Sequence, residues 1–319
     1  MIKEDRWLRE TYVDLLMEYA GKDERIAIVE ADLARAAGTL RFQETFPERT
    51  VDVGVAEANM IGVAAGMSAM GKIPFTHTFT PFATRRVCDQ VTLSVAYAGL
   101  NVKCVGSDPG VTAELNGGTH MSMEDVAIMR NIPGMIVFEP TDSEQLKKAF
   151  PQIMEHYGPV YIRLLRRNAV KIFDENCEFR LGKGIVLKEG RDVSIFASGI
   201  MTAEALEAAE ILKEEGIDAE IINIHTIKPL DEELVIQSAR KTGAVITAEN
   251  GSIINGLGAA VAECLGENCP TIMKRVGVRD HFGEVGFTDY LQEKYGLKAR
   301  NIAEAAREVT GLKKAEVSR

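Results

Sequence analysis

Two hydrophobic rhythms alternate along this chain. One is a short apolar-rich run, as in 25–29, 73–78, 102–106 and 160–164. A run of that length between polar residues fits a strand buried on both faces. The other is an apolar residue at every third or fourth position. In residues 5–20 (DRWLRETYVDLLMEYA) it brings Leu8, Tyr12, Leu15, Leu16 and Tyr19 near one face and predicts an amphipathic helix. The first 165 residues then read as strands at 25–29, 50–53, 73–78, 102–106, 135–138 and 160–164, with helices at 5–20, 57–70, 82–98, 122–130 and 142–156. Ala34–Phe46 has no clean period and reads as loop with a short helix, while Thr141 and Ser143 before Glu144 read as an N-cap signal. A charged, aperiodic stretch at 166–189 is the expected linker. Beyond it, strands at 192–197, 218–224, 243–248 and 271–276 alternate with helices at 202–215, 231–240, 256–265 and 299–311. Such alternation predicts parallel strands joined by crossover helices. The expectation is an α/β chain with largely parallel sheets in two domains, 1–165 and a smaller 190–319.

Bulk composition narrows the function. The 319 residues are 46% hydrophobic and 26% charged, as in a globular protein, and suffice for two domains of ordinary size. A formal charge of −10 argues against nucleic acid or an anionic membrane as the main partner. No apolar run approaches the roughly 20 residues of a membrane helix, and the charged N-terminal MIKEDRWLRE lacks a signal core. Five cysteines without a CxxC pair indicate neither a disulfide framework nor a zinc site. A reducing, cytoplasmic setting is expected.

Candidate chemistry concentrates between Val51 and Phe82. A short strand turns at Gly54 and places Glu57 at the start of a helix rich in small residues. A second strand leads to Phe79 and Phe82, so one acid and two rings should stand at the carboxyl edge of a parallel sheet, where open α/β folds bind ligands. Each has a plainer explanation. Glu57 would complement the helix dipole in any protein, and phenylalanines are core residues by default. Gly62 and Gly66 allow close approach of another backbone, either the chain's own sheet or a second subunit. A long loop, 107–121, carries His120 after Gly117 and Gly118, a setting that favours a functional imidazole over a packing one. Arg163, Arg166 and Arg167 suit a phosphate or a solvated linker equally. His225 and His281 have no partner pattern and read as structural. Gly256–Leu257–Gly258 lacks the third glycine of a dinucleotide fingerprint, and neither GxxxxGK[ST] nor HExxH occurs.

Together, VGVAEANMIGVAAGMSAMGKIPFTHTFTPFATR and NGGTHMSMEDVAIMRNIPGMIVFEPTD resemble the C-terminal half of transketolase, as found in split, two-subunit enzymes. The resemblance covers nearly the whole chain, and implies a pyrimidine-binding domain of the thiamine-diphosphate enzymes followed by a transketolase C-terminal domain. By that likeness Glu57 is the acid at N1′ of the aminopyrimidine, and Phe79 and Phe82 are its ring pocket. His120 contacts substrate, Arg166 and Asn116 bind it, and Asp32 borders the site. An acid at N1′ favours the tautomer that deprotonates the thiazolium, and the cofactor then serves as electron sink for the cleaved carbanion. The implied reaction moves a two-carbon ketol unit between sugars, typically pentose phosphates.

The same likeness says what is missing. The diphosphate and its divalent metal (magnesium or calcium) bind a Gly-Asp-Gly motif, and this sequence contains none. An N-terminal partner subunit in an α2β2 assembly is therefore implied. Departures bear on substrate: Ser107 and Ala36 stand where phosphate-contacting histidine and serine are usual, Asn116 replaces an aspartate, Met121 a glutamine, and Arg85 an aromatic residue. Arg85 or Arg86 would have to compensate, which points to an unusual sugar or sugar phosphate. Two alternatives remain open here: the β subunit of a 2-oxo-acid dehydrogenase, and a non-catalytic regulatory subunit of the same fold. Deoxyxylulose-phosphate synthases are closer enzyme cousins.

Overall fold

The computed structural model describes residues 1–317. Among them, twelve strands build two sheets. The first six are β1 (Ile26–Glu30), β2 (Thr50–Asp52), β3 (Ile73–Phe79), β4 (Lys103–Ser107), β5 (Ile136–Phe138) and β6 (Val160–Leu164). The next six are β7 (Ile185–Lys188), β8 (Val193–Ala197), β9 (Ala219–Asn223), β10 (Thr226–Lys228), β11 (Ala244–Ser252) and β12 (Ile272–Val278). The first sheet runs β10-β5-β6-β4-β3-β1-β2 and the second β12-β11-β8-β9-β7. All pairings are parallel except those of β10 and β7, which lie antiparallel at sheet edges.

Side-chain alternation explains why these runs are mostly apolar. In the first sheet Ile28, Val105, Phe138 and Ile162 face a layer containing Leu8, Tyr12, Leu16 and Phe150. Their neighbours Val29, Cys104, Val137 and Tyr161 face the opposite layer, with Met60, Ile61 and Val91. Both faces are covered, so polar positions would have no water to reach. The second sheet repeats this, with Ile195 and Phe196 in different clusters.

Several local expectations are corrected. The helix expected over 82–98 is broken: Thr80–Ala83 forms one turn, and helical winding resumes at Arg85 and again at Cys88. Thr84 is the break (φ −126°, ψ −80°); its hydroxyl bonds back to the Thr80 carbonyl, while the Thr80 hydroxyl bonds the Ser107 carbonyl on β4. The cap of the helix Ser143–Glu155 is Asp142, which accepts from Gln145 N, rather than Thr141 or Ser143. The expected linker ends in a strand, β7, and the helix Thr288–Tyr295 was unforeseen. Gly62 and Gly66 do not pack on their own sheet: both are exposed, with no atom within 4 Å of where a Cβ would stand. Among the described residues no helix is long and apolar enough to cross a membrane.

Candidate active site

The carboxyl ends of β1, β2, β3, β4 and β6 share one edge of the first sheet. Asp52 ties two of these exits together, because its Oδ1 accepts from Asp32 N (3.0 Å) and Gly54 N (2.9 Å). That turn, with Gly54 at φ +71°, delivers Glu57 to the first position of the helix Glu57–Ala69. Glu57 is only 3% exposed, and its Oε1 accepts a hydrogen bond from Arg86 Nη1 at 2.6 Å. The Arg86 guanidinium lies 3.7 Å above the centre of the Phe82 ring.

Phe79 ends β3, Phe82 lies one turn on, and their ring centres are 6.4 Å apart. His120 meets both edge-on, at 5.8 Å from Phe79 and 5.0 Å from Phe82. Its Nδ1 shares a hydrogen bond with Thr119 Oγ1 (2.8 Å), which leaves Nε2 available for a ligand. The loop that carries His120 is held from the other sheet's side. Val111 N donates to Asn250 Oδ1, and Asn250 Nδ2 donates to the Pro109 carbonyl. Thr288 donates from both N (3.1 Å) and Oγ1 (2.6 Å) to Glu114, a non-glycine residue in a left-handed conformation (φ 48°, ψ −120°). A side chain at Gly118 would put its Cβ 2.2 Å from the Gly283 carbonyl oxygen, so the two backbones require glycine there.

Glu57, Phe79, Phe82 and His120 are therefore brought together, with the Arg166 guanidinium 5.6 Å from the centre of Phe79. Asp32 is exposed where β1 ends, and Asn116 is exposed four residues before His120. Arg85 is turned aside, paired with Glu124 at 2.8 Å. Arg163 is buried between Asp125, Glu139 and the Asn250 carbonyl, which removes it from the ligand-binding candidates.

Two arginines emerge that sequence reading passed over or left undecided. Arg86 announces itself four positions after Phe82, one helical turn on. Arg9 gave no signal, being a charged residue on an amphipathic helix. Its guanidinium donates to the Ala36 carbonyl and lines a narrow cleft with Tyr12, Ala37, His77, Ser107 and Arg166. Burial, then the like charge of Arg166, lowers the Arg9 pKa. Asp108, paired with Arg166 at 2.7 Å, is pushed up to about 6 by burial, against the pull of Arg166 and Arg167.

The residues present fit the ring half of thiamine diphosphate. Arg86 shows the kind of group they would hold: its flat, N–H-bearing guanidinium lies over Phe82 and donates to Glu57. Among the described residues no group of three or more His, Cys, Asp or Glu is arranged to hold a metal ion.

Comparison with known proteins agrees. The sequence matches the transketolase pyrimidine-binding domain over residues 7–171 and the transketolase C-terminal domain over 182–302. The chain belongs to the transketolase family. It is 70% identical to the 6-deoxy-6-sulfo-D-fructose transketolase subunit SqwH of Clostridium sp. (strain MSTE9), covering 97% of this chain and 96% of that one. It is 35% identical to one subunit of the apulose-4-phosphate transketolase of Phocaeicola vulgatus, over 94% of this chain and 96% of that relative. A split-gene transketolase solved as an inactive β4 tetramer superposes with a TM-score of 0.87 at 44% identity, covering 96% of this chain and 98% of that one. This chain is thus a C-terminal subunit of a split transketolase, and it transfers a ketol unit together with a partner subunit. Membership in transketolase implies thiamine diphosphate as cofactor.

Proposed function

We propose that this chain is the C-terminal subunit of an α2β2 transketolase whose donor is a ketose ending in a sulfonate. The observation that carries this is the 70% identity, over nearly all of both chains, to the 6-deoxy-6-sulfo-D-fructose transketolase subunit. The cleft between Arg9 and Arg166 supports it. Two guanidinium groups, one offset by Asp108, suit a monoanionic head group better than a phosphate dianion. Small neighbours, Ala37 and Ser107, add little donor capacity.

Thiamine diphosphate, when bound, supplies the carbanion-stabilising chemistry that cleavage beside a ketose carbonyl demands. Glu57 holds the pyrimidine edge and exchanges a proton at N1′. Phe79 and Phe82 seat the ring and exclude water from it. His120, oriented by Thr119, donates from Nε2 to substrate oxygens. Arg166 holds the terminal anion, Asn116 meets substrate at the rim and Asp32 borders the pocket, while Arg85, held by Glu124, is left out of the substrate contacts. The partner subunit contributes the diphosphate site and its magnesium or calcium, and the exposed Gly62–Gly66 face is a subunit contact. On this reading 1–165 is the pyrimidine-binding domain, 166–189 the linker and 190–319 the C-terminal domain, working in the cytoplasm.

The test is co-expression with a subunit carrying the Gly-Asp-Gly motif, then ketol transfer to an aldose acceptor. A higher kcat/KM for 6-deoxy-6-sulfofructose than for fructose 6-phosphate supports the reading. Equal or reversed preference overturns the sulfonate. Co-purification of a lipoyl protein would favour a dehydrogenase complex instead.

A further inference from the structure

Unpartnered polar atoms in this fold are not scattered. Among the described residues, four buried atoms at one place, Arg9 Nε, Glu30 Oε2, Thr78 Oγ1 and Asp108 Oδ1, have neither a hydrogen-bond nor an ion-pair partner. Arg9, His77 and Thr78 line the cleft beside Arg166; Glu30 stands behind His77, and Asp108 pairs with Arg166. The cleft floor is a chain of three buried side chains. Tyr12 Oη lies 2.7 Å from His77 Nε2, and His77 Nδ1 lies 3.1 Å from Glu30 Oε1, which also accepts from Thr39 Oγ1 at 2.5 Å. Buried groups left this way are expensive unless a ligand completes them.

We propose that Tyr12 donates a hydrogen bond to the terminal anion of the donor sugar, and that anion binding is coupled to uptake of one proton at His77. This rests on the sulfosugar reading above. Two proton arrangements exist in the chain. With His77 neutral and Nδ1–H turned to Glu30, Nε2 accepts the Tyr12 O–H, and the phenol shows the cleft only lone pairs. With His77 protonated, Nε2–H donates to the Tyr12 oxygen, and the Tyr12 O–H is released toward the cleft. Charge favours the second state once an anion arrives. The groups facing His77 are Tyr12 and Arg9 from the helix Leu8–Ala20, Glu30 from β1, and Arg166 and Asp108 across the cleft; β4 contributes only Val105 and Ser107. Two cations already balance two carboxylates, so a further anion in a low-dielectric cleft calls for a further proton. Tyr12 remains a phenol throughout, because burial and then Glu30 hold its pKa well above 10.

The experiment uses the assembled complex loaded with thiamine diphosphate and compares 6-deoxy-6-sulfofructose with erythrulose, a ketose without a terminal anion. A sulfonate does not titrate between pH 6 and 8.5, so any pH dependence specific to the sulfosugar belongs to the protein. The expected result is a wild-type sulfosugar KM that climbs with pH, by at most about tenfold per unit for one proton, and an erythrulose KM that does not follow it. Tyr12→Phe raises the sulfosugar KM at pH 6 by about tenfold or more and flattens its profile, leaving erythrulose unchanged. His77→Gln also flattens the profile. A wild-type profile shared by both ketoses, or Tyr12→Phe losses equal for both, overturns the proposal. Sulfosugar turnover with an unchanged Tyr12→Phe KM removes the role of Tyr12 and leaves the substrate reading standing. Absence of sulfosugar turnover in the wild type removes both.

Discussion

Two buried clusters of charge sit within this one chain and differ in how they are finished. At the seam between the sheets, Arg163 donates to both Asp125 oxygens (2.6 and 3.1 Å), to Glu139 (2.5 Å) and to the Asn250 carbonyl (2.6 Å), while Tyr161 donates to Asp125. Every guanidinium nitrogen is engaged, and one Glu139 oxygen is the single atom of the group without a partner. At the sheet's carboxyl edge, Arg9, Glu30, Thr78 and Asp108 all keep an unpartnered atom. Closed hydrogen bonding makes a buried ion cluster into a joint between elements. Open hydrogen bonding makes it a receptor.

The sharpest way to break this contrast is to change the carboxyl edge and the seam in turn and ask which property moves. Glu57→Ala should lower ketol transfer by about 10²- to 10⁴-fold, the range of a positioned proton-transfer group, while thermal midpoint and subunit assembly stay unchanged; near-normal turnover would remove Glu57 from the chemistry. Arg163→Met should do the opposite. Leaving Asp125 and Glu139 buried without their cation should cost about 3–5 kcal/mol in denaturant unfolding, and an unaltered midpoint would contradict the joint. His120→Ala should reduce kcat/KM about 10²-fold with stability preserved, measured on the assembled complex.

Smaller effects sharpen the comparison. Burial pushes Glu249 up to about 7, although it accepts from Leu257 N and Gly258 N. A carboxylate pKa raised on folding means that the folded chain keeps a proton the unfolded chain has lost. Its contribution is fully present below the ordinary value of 4.5 and is lost as pH rises toward 7. The stability difference between wild type and Glu249→Gln should therefore fall across that window by up to roughly 1.4 kcal/mol per pH unit, read from denaturant midpoints. Least of all, Arg86→Ala should tighten thiamine diphosphate binding about two- to fivefold, the scale of one exposed cation–π contact. Calorimetry showing weaker binding would make Arg86 a cofactor contact rather than a competitor.

Much of this was legible before any coordinates. Apolar-rich runs marked the parallel strands because burial on both faces leaves few positions where a polar side chain meets water. Glu57, Phe79, Phe82 and His120 stood out by family likeness, and all four meet at one edge. Other features depend on tertiary partners. The three residues of β10 follow β9 after only two, yet pair with β5 of the other sheet, a crossing that no local periodicity encodes. The break at Thr84 is set by hydroxyl bonds to Thr80 and from there to β4, so a continuous helical pattern could not reveal it. Arg9 becomes part of a cleft only because its helix docks beside the ends of β3 and β4.

The grip of Thr288 on Glu114 has a consequence in time. A loop free in solution would have to find its working shape at each encounter with sugar, and that search would slow every cycle. Here the ordering is done once, as the chain folds. The imidazole of His120 waits in place, and the second sheet, which contributes none of the clustered rings or the acid, acts as the memory of where it belongs.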